Sequence, residues 1–137
     1  MKLLSSIAAL VCLASLSFSV GSKAQTQQMP LDLIGAYTSG PSCNNIHFRI
    51  ETSKVFDEDM GCDVLSVKRL YGEERQESEF EVHLSCQMDD PEKPRMSGFL
   101  KTGSLWGRPL LIVNLQVDPK YRKKFGYPRL QVYGKCK

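Results

Sequence analysis

The segment from Phe80 to Met88 restricts the fold of this chain more than any other. Phe80, Val82, Leu84, Cys86 and Met88 alternate with Glu79, Glu81, His83, Ser85 and Gln87. Successive side chains of a β-strand project to opposite faces, so a strict period of two marks a strand with one face in a core and the other in water or at a site. A half-buried strand needs neighbours, and the flanking sequence supplies them.

Gln25 to Pro30 is polar and expected to be loose, and Leu31 to Tyr37 reads as a first strand, ended by the turn residues Thr38-Ser39-Gly40-Pro41-Ser42. His47 to Glu51 is a second strand. Thr52 to Gly61 is the only stretch with helical spacing, through Val55, Phe56 and Met60, although the acids at 57–59 suit an exposed loop equally well. Cys62 to Tyr71 is an imperfect strand with room for a bulge, joined through the charged connection Gly72 to Ser78 to the Phe80 strand. Asp89 to Pro94 is a turn, Met96, Gly98 and Leu100 mark another strand, and Lys101 to Pro109 reads as a glycine-containing loop. Leu110 to Val117 is the most hydrophobic strand, with Leu111, Val113, Leu115 and Val117 on one face. Asp118 to Pro128 is a basic, aromatic connection, and Arg129 to Tyr133 a last short strand. Seven short strands with little helix imply an all-β, antiparallel architecture. Closure removes exposed strand edges, so a small antiparallel barrel or a lipocalin-like half-open barrel ranks ahead of a β-sandwich.

The N-terminus sets the chemistry of the cysteines. Lys2 precedes the apolar run Leu3 to Val20, and Ser22-Lys23-Ala24 puts small residues where a signal peptidase inspects the chain. Residues 1–24 are therefore expected to be a cleaved signal peptide, leaving 25–137 as one secreted or periplasmic domain of 113 residues. The run is near the ~20 residues of a membrane anchor, but serines interrupt it and a cleavage-like site follows. No second span follows it. Cleavage removes Cys12 and leaves Cys43, Cys62, Cys86 and Cys136, an even number in an exported chain, which argues for two disulfides. Four cysteines allow three pairings. The expectation is Cys43 with Cys62 and Cys86 with Cys136, the second tying the chain end to its middle. No two of them have the close spacing of a zinc knuckle, and the histidines lie far off in sequence.

Charge is distributed unevenly. Residues 51–92 carry thirteen acids and four bases, whereas residues 93–137 carry eleven bases and one acid, Asp118. Either strands of the two halves pair, setting Glu79 and Glu81 against lysines and arginines, or the domain has a dipolar surface that steers an anionic partner. The sharpest local patch is Lys120-Tyr121-Arg122-Lys123-Lys124-Phe125-Gly126-Tyr127, whose cations suit phosphate, sulfate or carboxylate and whose Tyr121 and Tyr127 suit stacking. The same composition also fits a solvated loop with its aromatics turned inward. Trp106, in Gly103-Ser104-Leu105-Trp106-Gly107-Arg108-Pro109, is either an exposed anchor beside Arg108 or a lid on one end of the core.

Catalytic signals are sparse. Glu81 and His83 share the polar face of one strand, and with Arg95 nearby they would make the minimum acid–base set for cleaving a phosphodiester, as in a small secreted ribonuclease. No nucleophile elbow, zinc-binding His-Glu-x-x-His or phosphate-cradling glycine loop is present. Asp57, Asp59 and Asp63 lack the ligand pattern of a calcium loop, so neither metal nor cofactor is expected. The function class favoured is a non-enzymatic binding or inhibitory module, a periplasmic inhibitor or extracellular effector. It would engage a protein or anionic glycan through Trp106, Arg108, Lys120, Tyr121, Arg122, Lys123, Lys124 and Tyr127. A near-neutral exported domain argues against nucleic acid. A carrier of an apolar ligand inside the barrel is the alternative, provided that core side chains do not fill the interior.

Overall fold

The computed structural model describes residues 25–58, 60–74, 76–87, 94–125 and 129–137. The expected signal peptide, 1–24, lies outside the described residues, as do Asp59, Met88 and Tyr127. The fold is a closed barrel of eight antiparallel strands, each paired with its neighbours in sequence and β1 with β8. They are β1 Gly35–Thr38, β2 Phe48–Ile50, β3 Lys54–Asp57, β4 Met60–Tyr71, β5 Glu79–Gln87, β6 Arg95–Leu105, β7 Arg108–Val117 and β8 Arg129–Lys135.

The alternations place the core. Phe80, Val82, Leu84 and Cys86 of β5 are all buried, and so are Leu111, Val113, Leu115 and Val117 of β7. The imperfect pattern of β4 has a physical cause: register shifts between Val64 and Ser66, and between Arg69 and Tyr71, are β-bulges that change which face a residue joins. Cys62 and Val64 point inward, and after the first bulge Val67 does. The phase change also brings Arg69 over the ring of Phe80, at 4.5 Å from its centroid.

Gly98 lies between the inward-facing Met96 and Leu100 of β6, with its Cα pressed against β7. A Cβ there would stand 2.0 Å from the carbonyl oxygen of Asn114. The missing side chain lets β6 approach and bend over its neighbour, as a small barrel requires at its corners.

Four sequence expectations are corrected. Leu31 to Ile34 is not strand: Leu33 and Ile34 donate to the carbonyls of Pro30 and Leu31, a single turn that drops Leu33 into the barrel end. The preceding residues are not loose either, because Thr26 and Val67 exchange backbone hydrogen bonds and Met29 is buried. Residues 52–61 form no helix. Val55, Phe56 and Asp57 belong to β3 and pair with Cys62, Gly61 and Met60, so the spacing that resembled a helical face is the short β3, a tight turn and the first residues of the long β4. Lys101 to Pro109 is not a loop: β6 runs through to Leu105 and β7 starts at Arg108, so the eighth strand of the barrel, beyond the seven expected, is β3.

A fifth correction concerns the disulfides, which are Cys43–Cys136 and Cys62–Cys86. Cys62 and Cys86 are register partners on β4 and β5, both facing the core, so strand pairing and not nearness in sequence selects them. Cys43 then meets Cys136, whose N–H donates to Ala36 beside the short β1–β8 seam.

The interior is filled. The gap left between Phe48, Val55, Leu84, Val113, Leu115 and Tyr133 measures about 10 Å³, roughly the smallest space one water needs. That removes the support for an apolar-ligand carrier among the described residues, and the barrel is closed rather than half-open.

One barrel end is sealed by a polar cluster under the Met29–Ile34 segment. Arg69 reaches both carboxylate oxygens of Asp32 at 3.2 Å and donates to Ser78 Oγ at 2.8 Å. Tyr37 donates its hydroxyl to the Leu33 carbonyl at 2.7 Å. Burial, with the Asp32 charge adding to it, pushes the Tyr37 phenol well above its ordinary value of 10.0. The folded protein therefore holds this proton more tightly than the unfolded chain does. Its contribution to stability is complete below the unfolded value and is lost as pH rises through that value toward the folded one. Tyr37→Phe should cost about 1 kcal/mol at neutral pH for the lost hydrogen bond and should flatten the alkaline loss of stability. Urea melts of both proteins from pH 8 to 12 check this, and parallel pH profiles would refute it.

Candidate functional site

The β6–β7 hairpin closes in two residues, Trp106 and Gly107, with φ of +50° and +77°. Two successive left-handed residues make the kind of turn that fits the twist of a hairpin, for which Asn-Gly is the favoured pair. Glycine adopts this backbone freely, but a tryptophan there costs roughly 1–2 kcal/mol. The fold gains nothing visible in return: Trp106 is 96% exposed, the most exposed of the large hydrophobic residues, and Leu105 beside it is half-exposed. The alternative in which Trp106 closes the core is thereby excluded.

The surface beside the tip is cationic. An open groove of about 600 Å³ runs along Trp106, Arg108 and Pro109 to the Cys43–Cys136 disulfide, Lys135 and Lys137. The Arg108 guanidinium lies across the backbone of Gly134, where a Cβ would come within 2.6 Å of Cζ. Arg108 and Lys137 make no ion pair among the described residues. Lys135 is committed elsewhere, donating to the Asp32 carbonyl at 3.4 Å and lying over the Tyr37 ring. The disulfide anchors the chain end that carries two of these cations, so the groove is built on a cross-link.

The other candidates from the sequence do not join this site. β6 spans eleven residues between Arg95 and Leu105, about 35 Å at the rise of an extended strand, and the Lys120–Lys124 segment lies beyond the far end of β7. That segment is a 3-10 turn, Pro119–Tyr121, and a short helix α1, Arg122–Phe125. Tyr121 is half-buried and packs against the core, so it is not presented for stacking, whereas Arg122 and Lys123 are exposed. The candidate residues that are described thus fall into separate regions, with Trp106 and Arg108 in one and Arg122 and Lys123 in the other.

The acid–base candidates are brought together. His83 Nε2 lies 3.8 Å from a carboxylate oxygen of Glu81, and Arg95 borders the same groove as His83. Both side chains lie on the outer wall, 47% and 40% exposed. His47 is engaged separately: its Nδ1 accepts from the Ser39 N–H at 3.3 Å and its Nε2 faces Glu58 at 3.4 Å. Asp63 pairs with Lys54 at 3.6 Å, and among the described residues no group of three or more His, Cys, Asp or Glu could hold a metal ion.

The strands follow one another around the barrel in chain order, so the acidic half of the sequence meets the basic half where β5 lies beside β6, with Glu79 opposite Lys101. Lys68, opposite Glu81, comes from the acidic half itself. Opposite charges across strands help fix register.

Among the described residues no helix is long and apolar enough to cross a membrane. No protein-family model matches the chain, and searches of curated proteins and of solved structures found no match.

Proposed function

We propose that this protein is an exported, non-enzymatic binding module, of inhibitor or effector type, that docks Trp106 into an apolar pocket of an extracellular protein whose rim is acidic. The observation that carries this reading is the tryptophan itself, held on a strained backbone at a rigid hairpin tip and left almost fully in solvent. Backbone strain without an internal reward is characteristic of sites that serve a ligand. Exposed tryptophan is also the side chain that most often dominates a protein interface once it is seated. Arg108 and Lys137 would meet carboxylates at the rim and speed encounter more than they would add affinity. The filled barrel acts as the scaffold, and the disulfide beside the groove spares the partner the cost of ordering the chain end.

Hydrolysis is the weaker reading. Glu81 and His83 do approach one another, but both are part-exposed on an open wall, where a general acid–base pair lacks the water-excluded setting that strengthens its electrostatics. Incubation with RNA tests it directly: turnover abolished by His83→Ala, with folding retained, would replace the binding reading.

The binding reading is tested by capture from extracellular fluid with immobilised protein, comparing wild type with Trp106→Asn and with Arg108→Gln/Lys137→Gln. The expected result is a saturable protein partner that the first variant loses and the second binds more slowly. Recovery unaffected by the Trp106 substitution would overturn it.

A further inference from the structure

We propose that the outer wall of β4 to β7, near the barrel end away from Trp106, binds an acidic oligosaccharide, a run of sugars bearing carboxylate or sulfate groups. This site is separate from the Trp106 hairpin and does not depend on that reading.

Strand register builds the site. Ser66 pairs with His83, His83 with Ser97, and Ser97 with Gln116. Four adjacent strands thus contribute one hydrogen-bonding side chain each to a single row. Neighbouring strands are about 4.8 Å apart, so the row is about 14 Å long. All four residues border one open groove of about 690 Å³. Ser66, Ser97 and Gln116 make no side-chain hydrogen bond among the described residues, and His83 has only the long contact to Glu81. Their donors and acceptors face outward, available along a line.

Beside this row stands an aromatic platform. Phe99 occupies the next register level, paired with Glu81 on one side and Asn114 on the other, and its side chain is 40% exposed. It borders a shallow depression of about 150 Å³ that shares His83, Ser97 and Gln116 with the groove. A part-exposed ring among amide, hydroxyl, imidazole and carboxylate groups matches the two-sided character of a sugar. The C–H face of a pyranose covers the ring while its hydroxyls take the surrounding hydrogen bonds. A protein partner would call instead for a larger apolar centre with charged residues at the rim.

Two arginines set the charge of the ligand. Arg95 precedes Ser97 by two residues and so shares its face, and Arg122 overhangs the same groove from α1, two cations against the single acid Asp118 among the described residues of its lining. Neither makes an ion pair among the described residues. Guanidinium forks bind carboxylate and sulfate oxygens in pairs, which fits anionic groups along the sugar chain and fixes the ligand's direction. Glu81, on the opposite flank and balanced by Lys68 across the strands, serves as a hydroxyl acceptor and turns anionic groups toward the arginines.

The test is a titration of the whole domain with a heparin-derived hexasaccharide, hexagalacturonate, chitohexaose and inorganic sulfate, followed by amide NMR and calorimetry. At least one acidic hexasaccharide should bind more tightly than chitohexaose and sulfate, with shifts centred on Ser66, His83, Ser97, Phe99 and Gln116. Arg95→Gln/Arg122→Gln should weaken that binding about tenfold or more through loss of charge-assisted hydrogen bonds. Phe99→Ala should weaken it as well, and thermal melts establish that each variant is folded. Trp106→Asn should change nothing, which separates this site from the hairpin. The proposal fails if neither acidic sugar binds, if sulfate alone reproduces the affinity and shift pattern, if the double arginine variant binds as wild type does, or if the shifts map to the Arg108–Lys137 groove.

Discussion

Trp106→Asn should yield a protein that is more stable than the wild type and that has lost its partner. Asparagine tolerates the left-handed backbone that Trp106 is held in at φ +50°, and with Gly107 it forms the pair this turn prefers. The gain should be about 1 kcal/mol, because the strain disappears while no packing is lost from a side chain that touches almost nothing. Binding should fall by about 30-fold or more, the ordinary penalty of roughly 2 kcal/mol or above for removing an aromatic anchor. Opposite signs in one variant distinguish a functional tryptophan from a structural one. Thermal unfolding and partner capture on the same preparation check it, and a fall in stability with binding intact would show that the indole serves the fold.

Gly98→Ala should be the most damaging of the small substitutions. The added methyl has no flexible neighbour to displace: it meets the Asn114 carbonyl oxygen at 2.0 Å and the Leu115 Cα at 2.9 Å, both backbone. Either β6 moves away from β7 or the barrel loses register, and overpacking of this kind costs about 3 kcal/mol or more. Loss of that size lowers the melting temperature by on the order of 10 °C in a domain of this length. Gly107→Ala is the control. Nothing lies within 4 Å of a Cβ at Gly107, so only its φ of +77° is penalised, by about 1 kcal/mol. Equal melting points for the two variants would show that the close approach at Gly98 carries no weight.

Legibility in the sequence followed the regularity of the pattern. The buried faces of β5 and β7 were readable because each strand alternates without interruption and its inward face is wholly buried, whereas the start of β7 at Arg108 was not. β4 was readable as an irregular strand but not in phase, since a bulge shifts its inward face from Val64 to Val67 while leaving composition unchanged. The Val55, Phe56 and Met60 spacing was misleading because a short strand, a tight turn and the start of the next strand sample the same intervals as a helical face. The hairpin at Trp106 was hidden behind its glycines. Trp-Gly is not among the pairs that signal a two-residue turn. The polar row Ser66, His83, Ser97 and Gln116 carried no signal at all, as its members come from four strands and meet only through register.

The sequence by itself determined that the chain is all-β and antiparallel, that a barrel is its economical closure, that β5 and β7 bury the faces they do, and that two disulfides are to be formed. These follow from local periodicity and residue counts, which each segment carries alone. Only the tertiary structure decided which cysteines pair, that the interior is filled, that the acidic and basic halves meet along β5 and β6, and that Trp106 stands in solvent a barrel's length from Arg122. Each of these depends on which strand lies beside which, and register is set by the summed burial of all eight strands rather than by any one of them.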